Sequence, residues 1–144
     1  MANIYDVAKY ILHKKGCVST WKLEKLCYYA QAWALAWTER PLFEENFQAW
    51  VNGPVCPELF QLHKGKFMIA ESDLNIGNIA GLSNDEQETI DIVLEHYGNL
   101  DAYQLRELSH SEDPWKRARG KTKDNCASNA IISKESMGEY YGSL

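Results

Sequence analysis

One stretch of the sequence, residues 26–37, limits the possible folds more than any other because it is apolar on every side. It reads LCYYAQAWALAW, and Gln31 is its only strongly polar residue. A helix that is apolar all round either lies at the centre of a fold or offers one of its faces to a partner. The stretch is too short to cross a bilayer. We therefore expect a central helix whose Gln31 amide, once buried, bonds to nearby backbone.

Other segments predict shorter helices around the central one. An amphipathic pattern at the start of the chain ends at Gly16, which suits the left-handed residue that stops a helix. Ser83 and Glu86 form a capping box before a further helix. Ser133 is placed to cap a last helix. These signals alternate with polar segments, so the predicted helices are joined by loops.

The composition agrees with one domain. The chain has 144 residues, of which 45% are hydrophobic, and this is enough to bury a single core. We predict a mainly α, compact single domain over residues 1–144, with a C-terminal helix in residues 131–144. About six or seven helices should surround the aromatic-rich central helix, with one or two short β-strands.

The stretch AWVNGPVCPELF, residues 49–60, joins a predicted strand to a predicted helix. Alternation over residues 47–51 indicates a short strand, which we place at a sheet edge because Pro54 cannot donate a ladder hydrogen bond. Pro57 fits the first turn of the helix that follows. A second short strand is expected near residues 67–70.

Cys56 lies between the two prolines of this joint and is a candidate nucleophile or metal ligand. A reactive thiolate needs a base or a positive field, and the nearest titratable side chain, Glu58, would instead raise the pKa of the thiol. The four cysteines of the chain are irregularly spaced and form no CxxC pair. We predict free thiols, no metal site and no cofactor.

The N-terminus carries no pattern typical of a signal peptide, because charged residues interrupt its apolar positions. No run of about 18 apolar residues occurs that could span a membrane. We therefore expect a cytoplasmic protein.

The net charge of −5 conceals one short basic strip. Residues 116–123, KRARGKTK, hold five basic side chains and no acidic one. A nucleic-acid-binding protein usually has a more extensive basic surface. A solvated loop after a helix is the simpler interpretation of the strip.

The segment LSHSEDPWKRAR, residues 108–119, concentrates residue types found in acid–base sites. It contains His110, Ser111, Glu112 and Asp113, followed by Arg117 and Arg119, which could hold a phosphate or carboxylate. Asp113 and Pro114 also fit the N-cap and first position of a short helix. No phosphate-binding loop, metalloprotease histidine pair or nucleophile elbow occurs. We expect no enzymatic activity.

Three segments in order resemble the Panacea domain, the family of SocA-like antitoxins and GepA-like phage-associated proteins. They are KLEKLCYYAQAW from residue 22, AWVNGPVCPELF from residue 49, and the run from LSNDE at residue 82 to WKRAR at residue 119. The resemblance covers roughly residues 3–119. It implies a mainly helical, non-enzymatic antitoxin of bacteria or of phages and prophages that neutralises its toxin by direct protein contact.

The resemblance also implies which residues form the family framework. They are Lys22, Leu23, Lys25, Leu26, Tyr28, Tyr29, Ala30, Gln31 and Trp33 in the central helix, Trp50, Gly53, Pro54, Val55 and Pro57 in the joint, and His110, Pro114, Trp115 and Arg119 near the end. The family pattern has aliphatic residues where this chain has Cys27 and Cys56, so we expect both cysteines to be apolar core residues.

An antitoxin should carry aromatic and apolar side chains beyond those its core needs. As contacts to a cognate protein toxin, encoded by an adjacent gene, we select Trp21, Trp37, Trp50, Arg117, Arg119, Tyr140 and Tyr141. Membrane and nucleic-acid partners are not expected.

The alternative function is a DNA-binding transcriptional regulator of a phage or prophage operon. Its support is the pair of helices joined through Gly16, together with the basic strip at residues 116–123. Against it, the second helix lacks the basic and amide residues that a recognition helix presents to base edges.

Overall fold

The computed structural model describes all residues, 1–144. Seven α-helices account for most of the chain, which confirms the mainly α prediction. They are Ile4–Lys15 (α1), Thr20–Thr38 (α2), Pro57–His63 (α3), Asn84–Tyr97 (α4), Ala102–His110 (α5), Asp113–Arg119 (α6) and Lys134–Gly142 (α7). Two short 3₁₀ turns, Glu71–Asp73 and Ile79–Gly81, lie in the segment before α4.

Five short strands form two small antiparallel sheets. They are Val18–Ser19 (β1), Phe47–Trp50 (β2), Gly53–Val55 (β3), Met68–Ile69 (β4) and Ile131–Ile132 (β5). One sheet pairs β1 with β4, and the other has the order β3-β2-β5. The strand expected near residues 67–70 is β4. β2 lies between β3 and β5 and is thus a central strand, so the prediction that it forms a sheet edge was wrong.

The position of Pro54 explains that error. Pro54 belongs to β3, which pairs only with β2 and is the true edge strand. The other side of β2 pairs with β5, where Phe47 is opposite Ile132. This partner comes from the far end of the chain, so local alternation gave no sign of it.

α2 lies at the centre of the molecule, as the apolar stretch predicts. It packs against α7, α4, α1 and α5 and against β3. Thirteen of its residues are buried. The Ser19 side chain accepts a hydrogen bond from the Lys22 N–H at the start of the helix, and Glu39, in the left-handed conformation, ends it. No helix is both long and apolar enough to cross a membrane.

Most predicted helix boundaries are confirmed. Gly16 ends α1 with a positive φ of 76°, Ser83 and Glu86 form the capping box of α4, and Ser133 caps α7. The start of α6 differs by one residue, since its N-cap is Glu112 and Asp113 is already helical. The Glu112 side chain makes no capping bond because it points into the core.

Candidate partner-binding surface

Four aromatic side chains from four different elements form a partly exposed surface, which we call the aromatic face. Its members are Trp21, Trp50, Phe60 and Tyr103. The Phe60 ring lies 6.2 Å from Trp21 and 5.0 Å from Trp50, measured between ring centroids. Tyr103 lines a cavity together with Trp21 and is 67% exposed.

Local sequence signals position each of these side chains. Trp21 lies in the first turn of α2, which Ser19 fixes, and Tyr103 lies in the first turn of α5, which the Asp101 capping box fixes. Trp50 ends β2, and the turn to β3 requires the positive φ of 107° that Gly53 adopts. Pro57 begins the helix that carries Phe60. The aromatic face is thus built on rigid elements.

A cavity of about 160 Å³ opens within the aromatic face. Its lining residues are Trp21, Lys25, Asn52, Ala102, Tyr103 and Arg106. Lys25 is only 1% exposed, and its Nζ has no hydrogen-bond partner. Nζ lies 5.3 Å from the centroid of the Trp21 ring, a cation–π distance. Burial lowers the pKa of Lys25 to about 8, with Glu24 opposing that shift and Arg106 adding to it.

Glu24, next to Lys25 in sequence, is fully buried and has its own partners. One carboxylate oxygen accepts a hydrogen bond from the Cys56 N–H at 2.8 Å, and the other lies 2.7 Å from His63 Nε2. Burial raises the pKa of the Glu24 carboxyl. Each oxygen thus has a partner elsewhere, and neither bonds to Lys25, whose Nζ has no partner.

Comparison with known proteins places the chain in a family. The model of the family described as Antitoxin SocA-like, Panacea domain, matches residues 23–116. The chain belongs to this family. The resemblance stated from the three segments is thereby confirmed.

One curated relative supports the assignment. A protein named Antitoxin SocA, from Caulobacter vibrioides (strain NA1000 / CB15N), is 32% identical to this chain over 124 residues. The alignment covers 76% of this chain and 66% of that protein, just under two thirds of its length. No solved structure matches the chain.

The framework residues of this SocA-like chain mostly hold its fold together. Trp33 Nε1 donates to the Tyr97 hydroxyl at 2.8 Å, and Trp115 Nε1 donates to the Trp50 carbonyl at 2.9 Å. Lys22 Nζ donates to the Gly98 carbonyl at 2.7 Å. The remaining framework residues selected are buried or half-buried structural residues: Leu26, Tyr28, Tyr29, Gln31, Gly53, Pro54, Pro57, His110 and Pro114.

The predicted partner contacts do not form one surface. Trp21 and Trp50 lie on the aromatic face. Trp37 is 49% exposed but lies near the opposite end of α2, about 24 Å away at the rise of an α-helix. Arg117 and Tyr140 line a separate pocket between α6 and α7.

Two of the predicted contacts, Arg119 and Tyr141, are buried in this structure, only 4% and 1% exposed. The Arg119 guanidinium donates to the backbone carbonyls of Ala49, Lys123 and Cys126. The Tyr141 hydroxyl donates to Glu112. Both side chains therefore make their hydrogen bonds within the protein.

The polar segment at residues 108–119 does not converge into an acid–base site. The His110 ring stacks on Trp115 at 3.7 Å between centroids, and burial lowers the pKa of His110 to about 4. Glu112 points into the core, where the Tyr29 hydroxyl donates to it at 2.7 Å. Asp113 faces solvent beside Arg117.

Cys56 is fully buried, and burial raises the pKa of its thiol well above the ordinary value. Its Sγ lies 3.6 Å from Glu58, an acceptor that gives no activation. Cys27 is also fully buried. The expectation that both cysteines pack as core residues is confirmed.

Sequence reasoning missed Phe60 and Tyr103 as members of the aromatic face, and it treated Lys25 only as framework. One signal was available for Lys25: it stands one helical turn after Trp21, at the start of a helix with few polar residues. Nothing local joins Phe60 or Tyr103 to Trp21, because α3 and α5 reach it only in the folded chain.

Proposed function

We propose that this chain is an antitoxin that neutralises a cognate protein toxin by binding it directly. Membership of the SocA-like family and the relative named Antitoxin SocA support this function. The toxin is proposed to be the product of an adjacent gene.

The aromatic face is the observation that supports this proposal and suggests which residues contact the toxin. Tryptophan, tyrosine and arginine dominate the binding energy of protein interfaces, and they cluster near the centre of such interfaces. The face combines Trp21, Trp50 and Tyr103 with Arg106 at the edge of the cavity. Because four elements hold these side chains in place, little conformational entropy is lost when a partner binds.

We propose no catalytic role for the chain. The two groups that sequence reasoning considered, Cys56 and His110, are a buried thiol and a stacked imidazole. The Cys56 thiol has only the Glu58 carboxylate beside it, which disfavours the thiolate, and His110 Nε2 has no hydrogen-bond partner.

The alternative, a DNA-binding regulator, has less support. α2 would be its recognition helix, but α2 is surrounded by other elements and cannot enter a DNA groove. In the basic strip at residues 116–123, Arg119 is not available to bind DNA because its guanidinium is buried against backbone carbonyls.

Co-expression tests the proposed function. Inducing the adjacent gene alone should stop growth of the host cell, and co-expressing the wild-type chain should restore it. The Tyr103→Ala variant should restore growth poorly because it removes an exposed member of the aromatic face. The proposal fails if the neighbouring product is toxic and the wild-type chain neither restores growth nor co-purifies with it.

A further inference from the structure

The cavity in the aromatic face presents a buried positive charge that the protein itself leaves without a partner. Lys25 is 1% exposed, and its Nζ makes no hydrogen bond. An ammonium group can donate three hydrogen bonds, and burying it without any is strongly unfavourable. Nearby Glu24 does not accept any of them, since its oxygens bond to the Cys56 N–H and to His63 and neither bonds to Lys25.

The backbone is shaped to admit this side chain. A Cβ atom at Gly53 would lie 2.9 Å from Lys25 Cε and 3.3 Å from Nζ, closer than atoms normally pack. The absence of a side chain at Gly53 leaves the space that the end of Lys25 occupies. The lysine is thus held in place against the β2–β3 turn and the Trp21 ring.

A second cation and an amide border the same cavity. Arg106 lines it from α5, with the side chain 30% exposed, and Asn52 lines it from the β2–β3 turn. Arg106 Nη1 donates to the Glu107 carboxylate at 2.8 Å, which leaves other guanidinium donors available. The cavity therefore combines two positive charges with neutral donors.

We propose that this cavity is a carboxylate-binding site for an acidic side chain of a partner protein. A volume of about 160 Å³ accommodates roughly five water molecules at about 30 Å³ each, or a carboxylate with part of its aliphatic stem. Lys25 and Arg106 supply charge-assisted hydrogen bonds, and Trp21 and Tyr103 flank the stem. That the carboxylate belongs to a protein rests on the proposed function. That the cavity binds an anion does not depend on it.

A titration of the isolated chain tests the site without any toxin. The probes are N-acetylglutamate amide, its uncharged match N-acetylglutamine amide, and inorganic phosphate. The readouts are the indole N–H signal of Trp21 and the ε-methylene signal of Lys25 in NMR spectra. We expect the glutamate probe to shift both signals in a saturable way and the glutamine probe not to.

Three variants locate the binding. Lys25→Met should weaken binding of the glutamate probe about tenfold or more, and Arg106→Gln about threefold or more, because each removes a charged donor. Lys121→Met makes the same substitution at an exposed lysine outside the cavity and should bind like the wild type. If Lys25→Met does not fold, Arg106→Gln alone decides the test, since the Arg106 side chain is partly exposed and its replacement should leave the fold intact.

Three results would overturn the site: no saturable shift in the wild type, equal shifts with both amino-acid probes, or unchanged binding in both cavity variants. Tighter binding of phosphate than of the glutamate probe would replace the carboxylate with a phosphate ligand. Because no toxin is present, failure here leaves the growth-rescue test of the proposed function unaffected, and the reverse also holds.

Discussion

Single polar side chains connect α2 to segments outside the helix. Gln31 shows this most clearly, because its Nε2 donates to the Phe43 carbonyl and its Oε1 accepts from the Leu42 N–H, both at 2.7 Å. The amide was expected to bond nearby backbone, and it does. It thereby fixes the chain that leads from α2 to β2. Lys25 is the exception, a buried polar residue with no such bond.

The charge of Lys25 predicts a pH-dependent effect of its removal. The pKa of Lys25 is about 8 in the folded protein and about 10.4 in an unfolded chain. Between these values the unfolded state binds more protons, so this group makes the wild type more stable as pH rises. Lys25→Met should exceed the wild type in free energy of unfolding by up to about 3 kcal/mol below pH 8.

The measurement is urea denaturation of both proteins at pH 7 and pH 10, in a buffer without carboxylates or phosphate. The advantage of Lys25→Met should shrink at the higher pH. An advantage that is absent at pH 7, or that grows toward pH 10, would contradict the buried, unpartnered state of this lysine.

Gly53 offers a second test at this scale, with Gly65 as its control. Both have a positive φ, 107° and 86°, but a Cβ at Gly65 would meet nothing within 4 Å. Backbone strain should therefore destabilise both alanine variants, and the clash with Lys25 only one. We expect Gly53→Ala to cost about 1–3 kcal/mol more than Gly65→Ala in thermal or chemical unfolding. Equal costs would show that Lys25 does not pass over Gly53.

At the scale of elements, α7 is tied to α2 and α6 by a buried cluster of hydroxyls and one carboxylate. The Glu112 carboxylate accepts hydrogen bonds at 2.7 Å from the hydroxyls of both Tyr29 and Tyr141. The Tyr28 hydroxyl lies 3.2 Å from that of Tyr141. The C-terminal helix is thus part of the core.

Two neighbouring tyrosines allow a matched test of this cluster. Tyr141→Phe removes the buried hydroxyl and leaves Glu112 with one donor fewer, which should lower the free energy of unfolding by about 1–3 kcal/mol. Tyr140→Phe makes the same change on a half-buried side chain and should stay within about 0.5 kcal/mol of the wild type. A loss as small in Tyr141→Phe would mean that α7 is not held by this cluster.

Helices were predictable from the sequence because their signals are local. Capping at Ser83 and Ser133 and the positive φ at Gly16 depend on residues within a few positions of one another. Strand pairing was not predictable, because β5 and β1 are two residues long and gain their partners only from distant segments. The one-residue error at α6 arose because Glu112 caps with its backbone and uses its side chain in the core.

The site was predictable only in part for the same reason. Trp21 and Trp50 were selected as aromatic side chains beyond those that the core needs. Arg119 and Tyr141 resemble surface residues in sequence, but Arg119 bonds to carbonyls of the loop after α6 and Tyr141 packs against aromatic rings of α2. The cavity needs α2, α5 and the β2–β3 turn to meet, and no sequence interval contains all three.

On the scale of the whole molecule, α2 separates two exposed aromatic regions. The aromatic face surrounds its beginning, and Trp37 lies near its end beside Trp33. The chain carries a net charge of −5, yet the cavity in the aromatic face concentrates two positive charges. This local reversal of sign would favour an acidic group on any partner that binds the aromatic face.

If this chain is an antitoxin, its toxin should bind the aromatic face. The most direct test is the dissociation constant of the purified toxin for the wild-type chain, for Trp21→Ala and Tyr103→Ala, and for Trp37→Ala as an exposed aromatic control. We expect each of the first two variants to weaken binding by about tenfold or more and the control by less than about threefold. Full affinity in both Trp21→Ala and Tyr103→Ala, or a larger loss of affinity in Trp37→Ala than in either of them, would show that the toxin does not bind the aromatic face.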